Sequence, residues 1–570
     1  MGKLDYLTIV LYFAGILAIS VASAWRISDH KDMFTTNRSS PWWAAGLSGF
    51  MTMFSAATFV VWGGIAYRLG LVAVMINACY GVAALLAGYF VAGRWNRLGV
   101  TTPAEYVNLR FGKTGLHLFT WTMLLKRILG VSVSLYALAV LLVALVPLGE
   151  ANPLSDPNSG NLAMHWAILF FGSVVVIYTM VGGLWAVLMT DVLQFIVLLI
   201  VVFLISILMI FRAPSYEMFQ MNAPDGFFSL TAGGYGWLFL FGWVTIHFFM
   251  VGAEWAFVQR FLAVRSPQDA RKSCYLFGAM YLLTPLFWLL PPLLYRGQVF
   301  DAKPEQAYIL AAQSVLPPGV IGLFVAAMFS ATASMVSSQL NVFAGVLTND
   351  FYLPLVNPTA SQQQLIRVGR FFTLLLGALL VLVALLVPRL GGAEKLIIDI
   401  NSLMVVPLLS PALWGLFSRR IGIKHMITVA VTSFALGAVL KFGVLANPYF
   451  DFLKWNVKNV EVLVGVILPV VMLGVYEWRL RTSEVDPGWI AIDAHEAASA
   501  IDASTATLRD DANNDRVADN FPKQVLSIGL GSCGVLMLAF SLFTATDQQV
   551  LVAMGVVLLS AAAACHFVMK

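Results

Sequence analysis

Between Phe324 and Ser338 the chain reads FVAAMFSATASMVSS. The stretch lies in an apolar segment of membrane length, yet Ser330, Thr332, Ser334, Ser337 and Ser338 crowd it with hydroxyls. Lipid gains nothing from them. Small residues let helix backbones approach closely, and hydroxyls bond between helices or bind an ion. Tight helix packing and one wall of a cation and solute site are the two readings. A second set of reactive groups is spread along other apolar segments: Lys126, Arg127, Asp191, His247 and Glu254. Ionisable side chains are costly facing lipid, so inside a membrane they mark a pathway, a pocket or an internal pair. No HExxH, GxSxG or paired catalytic motif appears in the apolar segments, which argues against an enzyme.

The elements that must position these groups are membrane helices. Of 570 residues, 60% are apolar and 11% charged. A helix needs about 20 apolar residues to span a bilayer, and a β-barrel would show short alternating segments instead. Fifteen apolar spans fit, near 4–24, 42–67, 70–95, 115–146, 163–181, 186–211, 236–260, 271–296, 318–349, 364–387, 396–418, 425–445, 457–477, 525–545 and 549–568. The first resembles a signal peptide at Val21-Ala22-Ser23-Ala24 but has only Lys3 ahead of a long apolar run, so a retained helix is expected. The four cysteines sit in apolar spans without metal-ligand spacing and read as buried thiols. A net charge of +5, scattered along loops, does not suggest nucleic acid.

With the N-terminus outside, the basic residues of the 94–113, 260–272, 367–370, 419–424 and 479–523 stretches all fall on the cytoplasmic side, as does Lys570. The expected location is a cell membrane, crossed many times. The Ala-, Asp- and Asn-rich segment 481–523 has few large apolar residues and is expected to be a disordered cytoplasmic loop. It is too short for an appended signalling domain, which weakens the reading of a sensor on a transporter scaffold. The remaining divisions are an extra helix and inner loop over 1–41, five-helix groups over 42–211 and 236–418, an outer loop at 212–235, additional helices over 419–480 and two more over 524–570.

Five is odd, so the second group of five starts from the opposite face of the membrane, the arithmetic of an inverted repeat. Each group opens with a candidate interrupted helix. One carries Ser55-Ala56-Ala57-Thr58 mid-span, and the other carries His247, Gly252 and Glu254. Interrupted helices at matching places in two halves point to a midplane site where freed carbonyls coordinate an ion. His247 and Glu254, seven apart, would share one helix face. Lys126 and Arg127 lie about 18 Å into a span starting near 115, at 1.5 Å per residue. Snorkelling, a helix that starts nearer 120, and a cavity-facing cation are the three readings. Asp191 reads either as a helix-start carboxylate or as a waypoint for an ion leaving to the cytoplasm.

Four segments carry a family resemblance: GGLWAVLMTDVLQ (182–194), GAEWAFVQRFLAVRSPQDARKS (252–273), TTPAEYVNLRFG (101–112), and the opening run continued as NVFAGVLTNDFY (341–352). Taken in chain order they resemble the solute:sodium symporter family, over most of 5–480. The resemblance implies an all-α membrane protein with the leucine-transporter fold, an inverted repeat of five plus five helices with about five extra helices, and alternating access. It implies Na+ as coupling ion and a small-molecule solute. Membrane lipid is the other expected partner, and a monomer is compatible with the sequence, which does not itself give the oligomeric state. An ungapped match puts the ion ligands at the carbonyls of Met51, Phe54 and Ala327 and the hydroxyl of Ser330. The family's second hydroxyl falls on Ala331, which has no side-chain oxygen. Thr332 is about 100° further round the helix and is expected to point elsewhere. Sodium symport, proton coupling through Glu254 or Asp191, and uncoupled transport therefore stay open. For the solute, the match points to Thr58, Asn77, Arg127, His247 and Met250, with Glu254 nearby. The aromatic residues and the Gln of sugar-carrying members are missing at Met250 and Thr58, while members that carry acids use an Arg on the helix of Arg127. A sugar and an organic or sugar acid are the two candidate solutes.

Overall fold

The computed structural model describes residues 2–24, 38, 40–149, 152–181, 184–215, 217, 219, 221, 223–444, 457–506, 513–542 and 548–567. Among the described residues no strand is longer than an isolated bridge. Helix α1 spans Lys3–Ala24. The first group of five comprises the bent pair α2 (Trp42–Met53) and α3 (Thr58–Leu69), α4 (Val72–Leu98), α5 (Pro103–Val143), α6 (Met164–Val181) and α7 (Leu184–Phe211). The second comprises the bent pair α8 (Trp237–Ala253) and α9 (Trp255–Leu262), α10 (Pro267–Gln298), then, after the short α11 (Ala307–Val315), α12 (Val320–Leu355), α13 (Gln362–Leu390) and α14 (Ala393–Trp414). Five further helices are α15 (Ile423–Lys441), α16 (Val457–Arg479), α17 (Pro487–Ala506), α18 (Asn513–Ser541) and α19 (Gln548–Phe567). The chain is a multi-pass membrane protein. Both groups of five open with a broken helix, bent by 62° in the first and 51° in the second.

Local chemistry sets the helix starts. Thr102 accepts from the Glu105 amide at 3.1 Å, Pro103 takes the first helical position, and Glu105 reaches back to the Thr101 amide. Ser266 and Pro267 repeat the device for α10, and Ser361 with Gln364 forms a full capping box for α13. Gly112 interrupts α5 at φ 71°, a conformation that a side chain resists. Small residues then set helix contact. A Cβ on Gly81 would lie 2.8 Å from the Gly278 carbonyl oxygen, and one on Gly278 3.0 Å from that of Gly81, so α4 and α10 meet backbone to backbone. Helix α1 is tied into the bundle: Asp5 accepts from the amides of Gly319 and Gly322 at 2.7 and 3.0 Å, capping α12.

One alternative falls and one expectation changes. The helix bearing Lys126 begins just after the Gly112 kink, close to the expected 115 rather than 120, while the Thr102–Pro103 cap opens the short helix before it. Both cations are interior, with side chains only 3% and 11% exposed, and neither snorkels. The segment 481–523 is not disordered throughout. From Pro487 to Ala506 it forms α17, held at one end of the bundle by Arg110, whose guanidinium pairs with Asp486 at 2.5 Å and donates to the carbonyls of Gly415, Ser418 and Ile421. Trp489 sits between the guanidiniums of Arg94 and Arg419, and Ile492 is buried. A few anchoring residues dock the helix where composition alone predicts none. Residues 507–512 of that segment lie outside the described residues.

Candidate functional site

The first break falls at Phe54. Helix α2 ends with the Phe54 amide donating to the Met51 carbonyl at 3.1 Å, and the chain is extended at Phe54 (φ −91°, ψ 127°). It re-enters α3 after a turn in which Thr58 accepts from the Ser55 amide at 3.3 Å. The second break falls at Glu254, extended at φ −75° and ψ 134°, which ends α8 and starts α9. The carbonyl of Gly252, beside that break, is taken by the Trp95 indole at 2.7 Å. Buried backbone groups freed by a break need such partners.

Helix α12 packs across the first break. Met51, Phe54, Ala327 and Ser330 are each at most 1% exposed. Thr332 faces the helix that restarts after the break. Its hydroxyl accepts from the Ala56 amide at 3.0 Å and donates to the Met328 carbonyl at 3.1 Å. Ala56 is the first helical residue after the break, two residues beyond Phe54.

Beside the break lies a cavity of about 90 Å³, lined by Ser55, Thr58, Tyr80, Lys126, Arg127, Ser134, Met250 and Asn401 among others. On that scale it holds several waters. Ser55 donates to Ser134 at 3.1 Å, joining the break to α5. Of the residues expected to touch solute, Thr58, Arg127 and Met250 line this cavity and Asn77, His247 and Glu254 do not. Asn77 is buried and donates to the Ala73 carbonyl of its own helix at 2.8 Å. His247 bonds the Trp243 carbonyl through Nδ1 at 2.7 Å and packs against Tyr80, whose ring lines the cavity. Nor do His247 and Glu254 share a helix face, since the helix ends at Ala253 between them. Glu254 instead pairs with two adjacent cations of α5: Lys126 Nζ at 3.1 Å and the Arg127 guanidinium in direct contact.

Asp191 is not at a helix start. It sits seven residues into α7, fully buried. Its carboxylate accepts from Ser48 at 2.5 Å and from Ser334, and Arg260 stands 3.9 Å away. Arg260 donates to Ser48 at 3.2 Å and to Ser338 at 2.9 Å. One ion pair thus joins both broken helices to α7 and α12. Sequence reasoning missed Ser48 and Arg260 in this cluster, and Asn401 and Tyr80 in the cavity. Arg260 carried a signal, as a cation within an apolar motif. Ser48 looked like one more small residue.

Two broken helices, crossed by a hydroxyl-rich helix beside a polar cavity, define a secondary transporter of the broken-helix type. A sequence model of the sodium:solute symporter family matches residues 33–426. The chain belongs to that family. It is 26% identical over 519 residues to a sodium/glucose cotransporter of Vibrio parahaemolyticus, covering 82% of this chain and 90% of that one. It is also 26% identical over 511 residues to a sodium/sialic acid symporter of Aliivibrio fischeri, covering 85% and 96%. The solved structure of a Na+-coupled sialic acid symporter, substrate-bound and outward-open, superposes with a TM-score of 0.65 at 21% identity, covering 82% of this chain and 98% of that one. That likeness establishes the fold.

Proposed function

We propose that the chain couples entry of Na+ to symport of a small polar organic solute by alternating access, the groups 42–211 and 236–418 rocking about the two breaks. The observation that supports the reading is the break at Phe54 with α12 packed across it, the Thr332 hydroxyl accepting from the Ala56 amide two residues beyond. Met51, Phe54 and Ala327 supply carbonyls to the ion and Ser330 a hydroxyl, while Thr332 supplies the oxygen that Ala331 lacks. Sodium is favoured over a proton because both carboxylates suited to a proton route are already paired, Glu254 with Lys126 and Arg127 and Asp191 with Arg260. The solute, a sugar or an organic or sugar acid, occupies the cavity at Thr58, Arg127 and Met250. Asp191 marks the way out for the ion.

The orientation follows the charges. The end bearing Arg94, Arg110, Arg419 and α17 faces the cytoplasm, and the end where Arg68 pairs with Glu394 at 2.7 Å faces outside. Uptake into proteoliposomes, with and without sodium at two pH values, tests the reading. Sodium-dependent uptake that is indifferent to a proton gradient is expected. Uptake driven by the proton gradient alone would replace sodium with a proton.

A further inference from the structure

Away from the two breaks, a groove-shaped cavity of about 830 Å³ opens between α1 and α18, both of which pack on α7. Its floor is Leu193 and Val197 of α7 and Leu323 of α12, all buried. Its rims are Leu11 of α1 and Ile528 and Val535 of α18, each at least 50% exposed. Exposed apolar rims on a chain that crosses a membrane many times face lipid, so the groove is continuous with the lipid-contacting surface. Small residues keep it open. Gly15 and Gly529 line it from opposite sides, and a Cβ on Gly15 would meet nothing within 4 Å. Packed interiors leave few voids larger than a water molecule, and an apolar cavity of about 150 Å³ already takes up benzene. The two ends differ. Polar sequence gives way to the apolar run at Gln524, which is exposed and lines one end, while Leu536 and Leu323 close the other. From Gln524 to Leu536 the helix rises about 18 Å, at 1.5 Å per residue. Half of a hydrocarbon core is about 15 Å.

We infer that this groove binds one acyl chain of a phospholipid from the cytoplasmic leaflet, with the ester at Gln524 and the methyl end towards Leu536 and Leu323. The depth is that of one leaflet, and the one exposed amide stands where the ester carbonyl of such a lipid lies and can donate to it. A bare groove would leave its walls without contact atoms on one side, and a flexible chain drawn through the open rim restores that dispersion. The leaflet rests on the orientation proposed above; the binding site does not. Leu193 lies two residues beyond Asp191, about 200° round α7. The chain therefore backs the face of α7 opposite the buried Asp191–Arg260 pair, and it fixes the spacing of α1 and α18 on that helix.

Photolabelling tests the site. The full chain is placed in vesicles of phosphatidylethanolamine and phosphatidylglycerol with a trace of phosphatidylethanolamine carrying a diazirine on one acyl chain, either at the terminus or near the ester. Labelled residues are read by mass spectrometry after irradiation. The terminal probe should mark Leu323 and Leu536, the ester-proximal probe Ala18 and Ile528, and the two together the floor at Leu193 and Val197. Exposed Phe371 and Leu375 of α13 report bulk lipid. Gly15→Leu with Ala18→Phe fills the groove and should lower label on Leu193, Val197 and Leu323 about ten-fold, with Phe371 and Leu375 unchanged. Gly474→Leu on α16, whose added side chain also meets open space, should change neither. In the unaltered protein, label on Phe371 and Leu375 without label on Leu193, Val197 and Leu323 would overturn the inference. A reversed order, with the terminal probe on Ile528, would also overturn it, as would groove label that persists in a folded filled variant. Displacement of the groove label by cholesterol or ubiquinone, with bulk label kept, would assign the groove to a ringed lipid and overturn it too. No uptake enters the readout, so the transport reading stands or falls separately.

Discussion

The buried pair Asp191–Arg260 gives a prediction whose size follows from its geometry. At 3.9 Å, with an effective dielectric of about 20, two unit charges attract by about 4 kcal/mol. Asp191→Asn removes that attraction but keeps an acceptor for Ser48 and Ser334, and it leaves the buried Arg260 charge with serine hydroxyls and a carbonyl alone. Breaking one side of a buried pair costs about 3–5 kcal/mol. With an unfolding entropy of about 2.1 cal/mol/K per residue, a 570-residue chain loses about 3 °C in melting temperature for 4 kcal/mol. Arg260→Gln should cost a similar amount. The double variant Asp191→Asn with Arg260→Gln holds no unmatched charge, so its loss should be smaller than the sum of the two by about 2 °C or more. Cys79, Cys274 and Cys533 are buried free thiols, so a thiol-reactive dye reports the melt of detergent-purified protein without labelling. Strictly additive losses would refute the reasoning, because additivity means that the two side chains do not sense each other.

Thr332→Ala should weaken apparent sodium affinity about ten-fold, since it removes an oxygen from the break and leaves the Ala56 amide without its partner; Thr332→Ser should restore it, as sodium titration of the melting temperature will report. Ser330→Ala should likewise weaken sodium dependence and Ala331→Ser strengthen it, and no change in either would move the ion site away from these residues. Arg110→Lys cannot make four bonds to four acceptors in the fork geometry that guanidinium supplies, so α17 should become a site of rapid proteolysis with the fold otherwise kept. Glu305 lies in the loop before α11, where burial first and the Glu394 charge second raise its carboxyl above the ordinary 4.5. A carboxyl with a raised folded value binds its proton more readily folded than unfolded, so it subtracts stability as pH climbs from about 4.5 upward. Glu305→Gln should flatten that decline, visible as a smaller loss of melting temperature between acidic and neutral pH.

The sequence by itself determined the fold class, because apolar run length and the scarcity of charge admit only helices in a bilayer. It also placed both breaks within a few residues. Small and hydroxyl residues at 55–58, and Gly252 beside Glu254, sit where a continuous helix has no use for them. The direction of particular side chains was decided by tertiary structure alone. Thr332 meets the Ala56 amide just beyond a break that bends its helix pair by 62°, a partner no periodicity names. His247 and Glu254 were read as one face, and the break fell between them. Glu254 and Lys126 are 128 positions apart, and Ser48 and Asp191 143 apart, so no local pattern links them. Periodicity reports which residues leave water or lipid. Which buried charge meets which is fixed only when helices distant in the chain pack together, and there each charge takes the partner that costs least to keep from solvent.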